Sequence, residues 1–141
     1  LGDDATDWLR EVNRLRYTKL YADEAGASHF REVDVDFRPT DFAPPAPLHN
    51  VSPTMAAERF FFINLPAGWD GSWHPAPHEQ FLVCTRGMLE ITVRDGHVLR
   101  FGPGDVIFVD DIHSRGHRTR VVGDEEFYGV MVQIPETPAT R

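Results

Sequence analysis

From Glu58 to Ile134 the chain alternates short apolar runs with tight turns, and this rhythm predicts most of its elements. Glu58 to Asn64 is rich in phenylalanine and stops before the turn Pro66-Ala67-Gly68. Gln80 to Thr85 and Met88 to Arg94 flank Gly87 and are expected to form a hairpin. Asp95-Gly96 is a two-residue hairpin signal ahead of Val98 to Phe101, and Gly102-Pro103-Gly104-Asp105 is a further tight turn. Val106 to Val109 is an unbroken apolar run, which predicts a strand buried on both faces. His117 to Val122, the turn Gly123-Asp124 and Phe127 to Ile134 complete the series. Short strands at this spacing predict an all-β antiparallel sandwich or barrel.

The N-terminal third reads differently. Trp8, Leu9, Val12 and Leu15 recur at helical spacing, so residues 3 to 16 are expected to form a short amphipathic helix capped by Asp3, Asp4 or Thr6. Tyr17 to Tyr21 is expected as an edge strand, followed by a turn at Ala25-Gly26. Phe30 to Phe37 alternates apolar and charged positions, the mark of a half-exposed strand. Residues 39 to 53 hold five of the eleven prolines and read as a stiff connector. Pro135 and Pro138 end the regular structure.

Composition narrows the function. A chain of 141 residues is one domain with room for a core. Its net charge of -8 argues against nucleic-acid binding and against docking on an anionic membrane. No apolar run approaches the ~20 residues of a spanning helix. The single Cys84 allows no intrachain disulfide, and no charged-then-apolar leader opens the chain, so a cytoplasmic setting is expected.

The chemistry concentrates in Trp73 to Gly87, WHPAPHEQFLVCTRG. His74, His78 and Gln80 are separated by even numbers of residues, so an extended backbone would turn all three to one face. Pro75 and Pro77 oppose regular pairing there. Histidine is both the commonest metal ligand and the usual base near neutral pH. A second histidine-bearing strand begins at His117, after the turn Asp110 to Gly116.

These residues resemble the two motifs of the cupin superfamily. The first cupin motif has two histidines one residue apart, then a glutamate, six residues and a glycine. His74 matches the first histidine, Ala76 stands at the second, and Gln80 holds the glutamate position with six residues before Gly87. Pro103-Gly104-Asp105, the strand Val106 to Val109 and His117 match the second motif, with a longer turn before His117. The stretches WHPAP, RDGHVLRFGPGDV and DD-x-x-S-R-G-H are similar to a group of small bacterial cupins in which basic residues would replace His78 and Glu79.

The resemblance, over residues 45 to 134, implies a jelly-roll barrel (a double-stranded β-helix) with one site in its mouth. Residues 1–44 would then be helix, edge strands and connector packed on the barrel, and 135–141 a tail. It implies a homodimer and a divalent transition metal (iron, zinc, manganese or nickel) held by His74, Gln80 and His117, with His78 assisting. Lyase, isomerase, cyclase and dioxygenase chemistry all occur on this fold. A metal-free alternative uses His117 or His78 with Glu79 as an acid/base pair, although adjacent strand residues point to opposite faces, and Glu79 is expected at a solvated rim. A third reading is a non-enzymatic barrel that holds an apolar ligand against Phe60, Phe62, Leu82, Met88 or Met131. Trp73, Phe62, His113 and Met131 are the expected contacts for a small-molecule substrate. Trp69 and Trp73 flank Gly71 as pocket walls, and Arg118 and Arg120 are expected to face outward. Cys84 shares parity with Gln80 and is expected to be a small buried residue, not a nucleophile.

Overall fold

The computed structural model describes residues 15–136, and within them every regular element is a strand. The helix expected over 3 to 16 falls almost wholly outside the described residues, and Arg16 at its end already belongs to a strand. The strands are β1 (Arg16–Ala22), β2 (Ser28–Asp34), β3 (Arg38–Thr40), β4 (His49–Val51) and β5 (Arg59–Leu65). They continue with β6 (Gln80–Arg86), β7 (Met88–Thr92), β8 (Val98–Phe101), β9 (Val106–Asp110), β10 (Arg118–Val122) and β11 (Phe127–Gln133).

A six-stranded sheet in the order β2-β1-β9-β6-β11-β5 faces a three-stranded sheet, β10-β7-β8, and the protein is an all-β jelly roll. Each inner face follows from period-two alternation. On β6, Gln80, Leu82 and Cys84 are buried, while Phe81 and Val83 between them are only half-buried on the outer face. Leu20, Ile107, Val93 and Phe127 are fully buried and fill the space between the sheets. β3 and β4 form a separate exposed ribbon that carries the proline-rich connector.

Four local expectations change. First, β1 is not an edge strand. It lies between β2 and β9 and runs parallel to β9, with Leu20 opposite Val109. Second, Gly87 joins no hairpin, because β6 pairs with β9 and β11 while β7 pairs with β8 and β10 in the other sheet. The chain turns a corner there at φ 80°, and a Cβ would run into the Glu126 carbonyl and the Cα of Phe127. Third, the β7–β8 connection runs from Val93 to His97 with Arg94, Asp95 and Gly96 at its tip, closed by Gly96 N–H to Val93 O and Val93 N–H to His97 O. Fourth, β9 is buried on one face only. Ile107 and Val109 point inward, whereas Phe108 packs on the outside against Phe81, with ring centroids 4.6 Å apart.

Candidate functional site

Two segments that do not belong to either sheet meet at one end of the barrel. His74 and His117 form an isolated antiparallel bridge, each backbone N–H donating to the other's carbonyl at 3.0 Å. Gly116 makes this approach possible. A Cβ there would lie 2.7 Å from the His74 backbone, and the residue has φ 103°. The bridge places the two imidazoles side by side, with ring centroids 4.9 Å apart. His74 is exposed at the open end, whereas His117 is only 5% exposed.

Behind His117 lies Asp111, which is 0% exposed and satisfies donors from three parts of the chain. Its Oδ1 accepts the Ala76 N–H at 3.0 Å. Its Oδ2 accepts the Ser28 hydroxyl at 2.7 Å, the Ser114 hydroxyl at 3.1 Å and His117 Nδ1 at 2.7 Å. Burial pushes the Asp111 pKa up, but the hydrogen bond and charge of His117, with Ser28 and the Ala76 N–H, outweigh it and hold the carboxyl below its ordinary value. An ionised carboxylate only accepts, so His117 Nδ1 carries the proton and Nε2 keeps its lone pair for the cavity. His74 has the same arrangement, because its Nδ1 lies 2.7 Å from the Ser72 carbonyl, which can only accept.

Both rings line a cavity of about 200 Å³ inside the barrel. Gln80 shares that wall, 5% exposed, with its Oε1 3.0 Å from Gln133 Nε2. Deeper in, the lining is hydrocarbon: Leu82, Leu89, Ile91, Phe127 and Met131. Trp69 forms a side wall, its ring lying where a Cβ on Gly71 would collide with it. A larger groove of about 450 Å³ lies outside the six-stranded sheet, between Leu15, Tyr17, Phe37, Met55 and Phe81. No histidine lines it, and it has none of the converging groups of the barrel cavity.

The structure therefore brings His74, Gln80, His117 and Met131, with Leu82 and Trp69, to one cavity and leaves His78, Trp73, Phe60, Phe62, Met88 and His113 elsewhere. His78 does not line it. The chain bends at Pro77-His78, which breaks the alternation that would have turned the ring inward. Instead His78 Nε2 lies 2.9 Å from the Ile134 carbonyl and 3.2 Å from Glu58, while its Nδ1 is 3.6 Å from Glu136. Trp73 faces outward beneath Arg94, whose guanidinium sits 4.5 Å from its ring centroid. Phe62 is 77% exposed on the edge strand β5, Phe60 and Met88 are also exposed, and His113 lies on the exposed turn.

Glu79 is buried at 9% exposure, not a solvated rim residue. It lies close enough to Asp110 to raise that group's pKa, an effect second to burial and opposed by Lys19. Arg118 and Arg120 do face outward, bonded to Asp70 and Glu90. Cys84 is buried as expected, and burial, with the charge of Asp105, pushes its thiol up to about 12.

Asp111, buried against His117, is the residue of this candidate site that the sequence pattern did not single out. Its signal was the Asp110-Asp111 doublet six residues before His117, in the stretch DD-x-x-S-R-G-H.

No group of three or more His, Cys, Asp or Glu suited to a metal ion occurs among the described residues. The donor set for a cation in the cavity is thus two neutral imidazoles and one neutral amide.

No curated protein matches this chain. Among solved structures, a conserved Streptococcus pyogenes protein of unknown function is 23% identical, with a TM-score of 0.40 over 55% of this chain and 65% of that one, so the match spans under two-thirds of its length. A cupin-2 domain protein of Shewanella frigidimarina is 19% identical (TM-score 0.41, 60% of this chain and 80% of that one). The cupin domain of Schizosaccharomyces pombe Cnp3 is 17% identical (TM-score 0.42, 87% and 85%). The sequence pattern of the cupin domain matches residues 61–133, which run from β5 through β11 and include both histidine segments, and the chain belongs to the cupin family.

Proposed function

We propose that the barrel cavity is the active site of a small-molecule enzyme, with His117 as its general acid/base and Asp111 as the residue that orients it. The observation that carries this reading is the 2.7 Å contact between His117 Nδ1 and a fully buried carboxylate. That contact selects the tautomer with a free Nε2 lone pair, and it stabilises the imidazolium once the lone pair has taken a proton. His74 supplies a second Nε2 close by. The pair can then accept a proton from one atom of a bound molecule and return it to another, as an isomerase requires.

The experiment is proton exchange in deuterated water, on protein stripped of metals, with a panel of small neutral ketones, enones and lactones. Mass spectrometry should show deuterium entering next to the carbonyl of at least one member. His117→Ala should abolish this, and Asp111→Asn should reduce it strongly. Exchange equal in wild type and His117→Ala across the whole panel would overturn the reading.

A second reading is favoured by one observation: both imidazoles tie up Nδ1 and offer Nε2 to the same cavity as Gln80. His74, His117 and Gln80 would hold a divalent transition metal, which would act there as a Lewis acid. Asp111 behind His117 is the partner expected of a metal-bound imidazole. The neutral amide at Gln80 compensates less charge than a carboxylate, which weakens the fit. Elemental analysis of protein purified without chelator or nickel resin decides it. About one metal per chain, lost in His74→Ala and His117→Ala, supports this reading, and metal-free protein after anaerobic loading refutes it.

A further inference from the structure

We infer that the molecule taken by this cavity is uncharged and amphipathic, with a compact hydrocarbon body and a single oxygen function at one end. The inference rests on the cavity being the active site, as proposed above, and adds the class of substrate.

The strand register sorts the lining by depth. Gln80 is opposite Val109 on one side and Gln133 on the other, at the end where His74 bridges to His117. Two residues further along β6, Leu82 pairs with Ile107 and Met131. Further still, at the far end of β10, Val121 pairs with Leu89. The hydrogen-bonding groups are thus gathered at the open end, and Thr119 and the indole of Trp69 alone interrupt the apolar wall behind them. A ligand that satisfies both regions places its oxygen between the imidazoles and Gln80 and its carbon skeleton among Leu82, Leu89, Ile91 and Met131.

Charge excludes the commonest alternative. No Lys, Arg, Asp or Glu lines the cavity. The nearby arginines are committed elsewhere: Arg118 to Asp70, Arg120 to Glu90, and Arg115 to the Ala25 carbonyl at 2.7 Å. A carboxylate or phosphate would enter apolar surroundings with no Lys or Arg of the lining to pair with it. A sugar fails for another reason. Five side chains with a hydrogen-bonding group line the space (His74, Gln80, His117, Thr119 and the indole of Trp69), too few to replace the water around a ring of hydroxyls. Size sets the remaining limit. A volume of about 200 Å³ is below the range of drug-sized pockets and suits a molecule on the order of ten non-hydrogen atoms.

The test is a binding titration of the full chain at neutral pH, followed by NMR through the methyl signals of Leu82, Leu89 and Ile91 and the ring signals of His74 and His117. The probes are 4-methylcyclohexanone and 4-methylphenol, against 4-methylbenzoate and methyl glucoside. The neutral pair should bind at least roughly tenfold more tightly than the anion or the sugar, with shifts at those residues. Met131→Trp or Leu82→Trp, whichever folds, should weaken the neutral probes by a similar factor. Equal or tighter binding of 4-methylbenzoate or methyl glucoside would overturn the inference. So would shifts confined to Tyr17 and Phe81 in the outer groove, or no binding of any probe. Neutral probes that bind in the cavity without His117-dependent proton exchange would leave the inference standing and sink the acid/base reading.

Discussion

Asp111→Asn separates the role of the carboxylate from its shape. Four donors converge on the side chain: Ala76 N–H on one oxygen, and Ser28, Ser114 and His117 on the other. An amide has one oxygen to offer. If its NH2 faced the Ala76 N–H, two donors would meet in a buried place with no rotation to relieve them. The oxygen therefore stays on Ala76, and the NH2 replaces the oxygen that faced His117. The two serine hydroxyls can rotate to accept. His117 can accept only by moving its proton from Nδ1 to Nε2.

The stability cost is that of exchanging charge-assisted bonds for neutral ones, about 1.5–3 kcal/mol. A domain with ~5–15 kcal/mol in hand survives that loss and still folds. The chemical cost is larger, since the Nε2 lone pair no longer faces the cavity. The same exchange behind a catalytic imidazole in a hydrolase lowers turnover by about 10⁴-fold. Urea unfolding and nitrogen-15 NMR of the His117 ring read the two effects separately. Wild type should show a protonated Nδ1 and the variant a protonated Nε2. A wild-type ring already protonated on Nε2, or a ring unchanged by the substitution, would refute the argument for His117 as a positioned base.

Other outcomes follow from the same structure. Phe127→Ala removes a ring that is 0% exposed, and should cost about 3–5 kcal/mol in urea unfolding. Gly87→Ala should cost more than about 1 kcal/mol, because alanine resists a φ of 80° and its Cβ meets the Glu126 carbonyl. Cys84, with its thiol pushed up to about 12, should resist a thiol reagent at pH 8 while the protein is folded and react at once in urea. Stoichiometric labelling of native protein would contradict that burial. The pH profile carries a definite sign. Asp111 has a folded pKa below its unfolded one, so its contribution is present above the ordinary aspartate range and is lost as pH falls through the folded value. The stability gap between wild type and Asp111→Asn, read as melting temperature against pH, should therefore close below about pH 4.

The strands were legible where alternation and turn residues agreed, as in β6, β8, β10 and β11. The partners of those strands were not. Nothing in Gln80 to Arg94 says that Gly87 starts a crossing between sheets instead of a hairpin, because both need a glycine at positive φ. Nor does the pattern of Tyr17 to Tyr21 reveal a parallel neighbour eighty-odd positions away, although the burial of Leu20 shows its effect. In the site, Gln80 was readable because it opens β6, His117 because it directly precedes β10, and His74 because it holds the first histidine position of the motif it resembles. His78 was misread because parity holds only in extended chain, and Pro77 bends it. Asp111 was hidden for the opposite reason. An aspartate in a polar turn looks like a turn residue, and only the third dimension buries it under Ser28 and Ala76.

The position of Asp111 also explains why site and fold cannot be tuned independently here. Its four bonds join the start of β2, the proline-broken segment before β6 and the turn before β10, segments that share no continuous sheet. Two prolines near Ala76 preclude the ladder that would otherwise hold that segment, and the carboxylate takes its place. The same atom that receives Ser28 receives His117, so any movement that loosens the chain junction also frees the imidazole. Asp111→Ala should lose both together. It leaves the His117 ring, two hydroxyls and an amide N–H without their acceptor, a cost on the order of 3–5 kcal/mol when one member of a buried pair is removed. Asp111→Asn, by contrast, should keep the junction and lose the base. A pair of variants that part in this way would show that the residue has two roles; a pair that behave alike would show that the carboxylate only braces the chain.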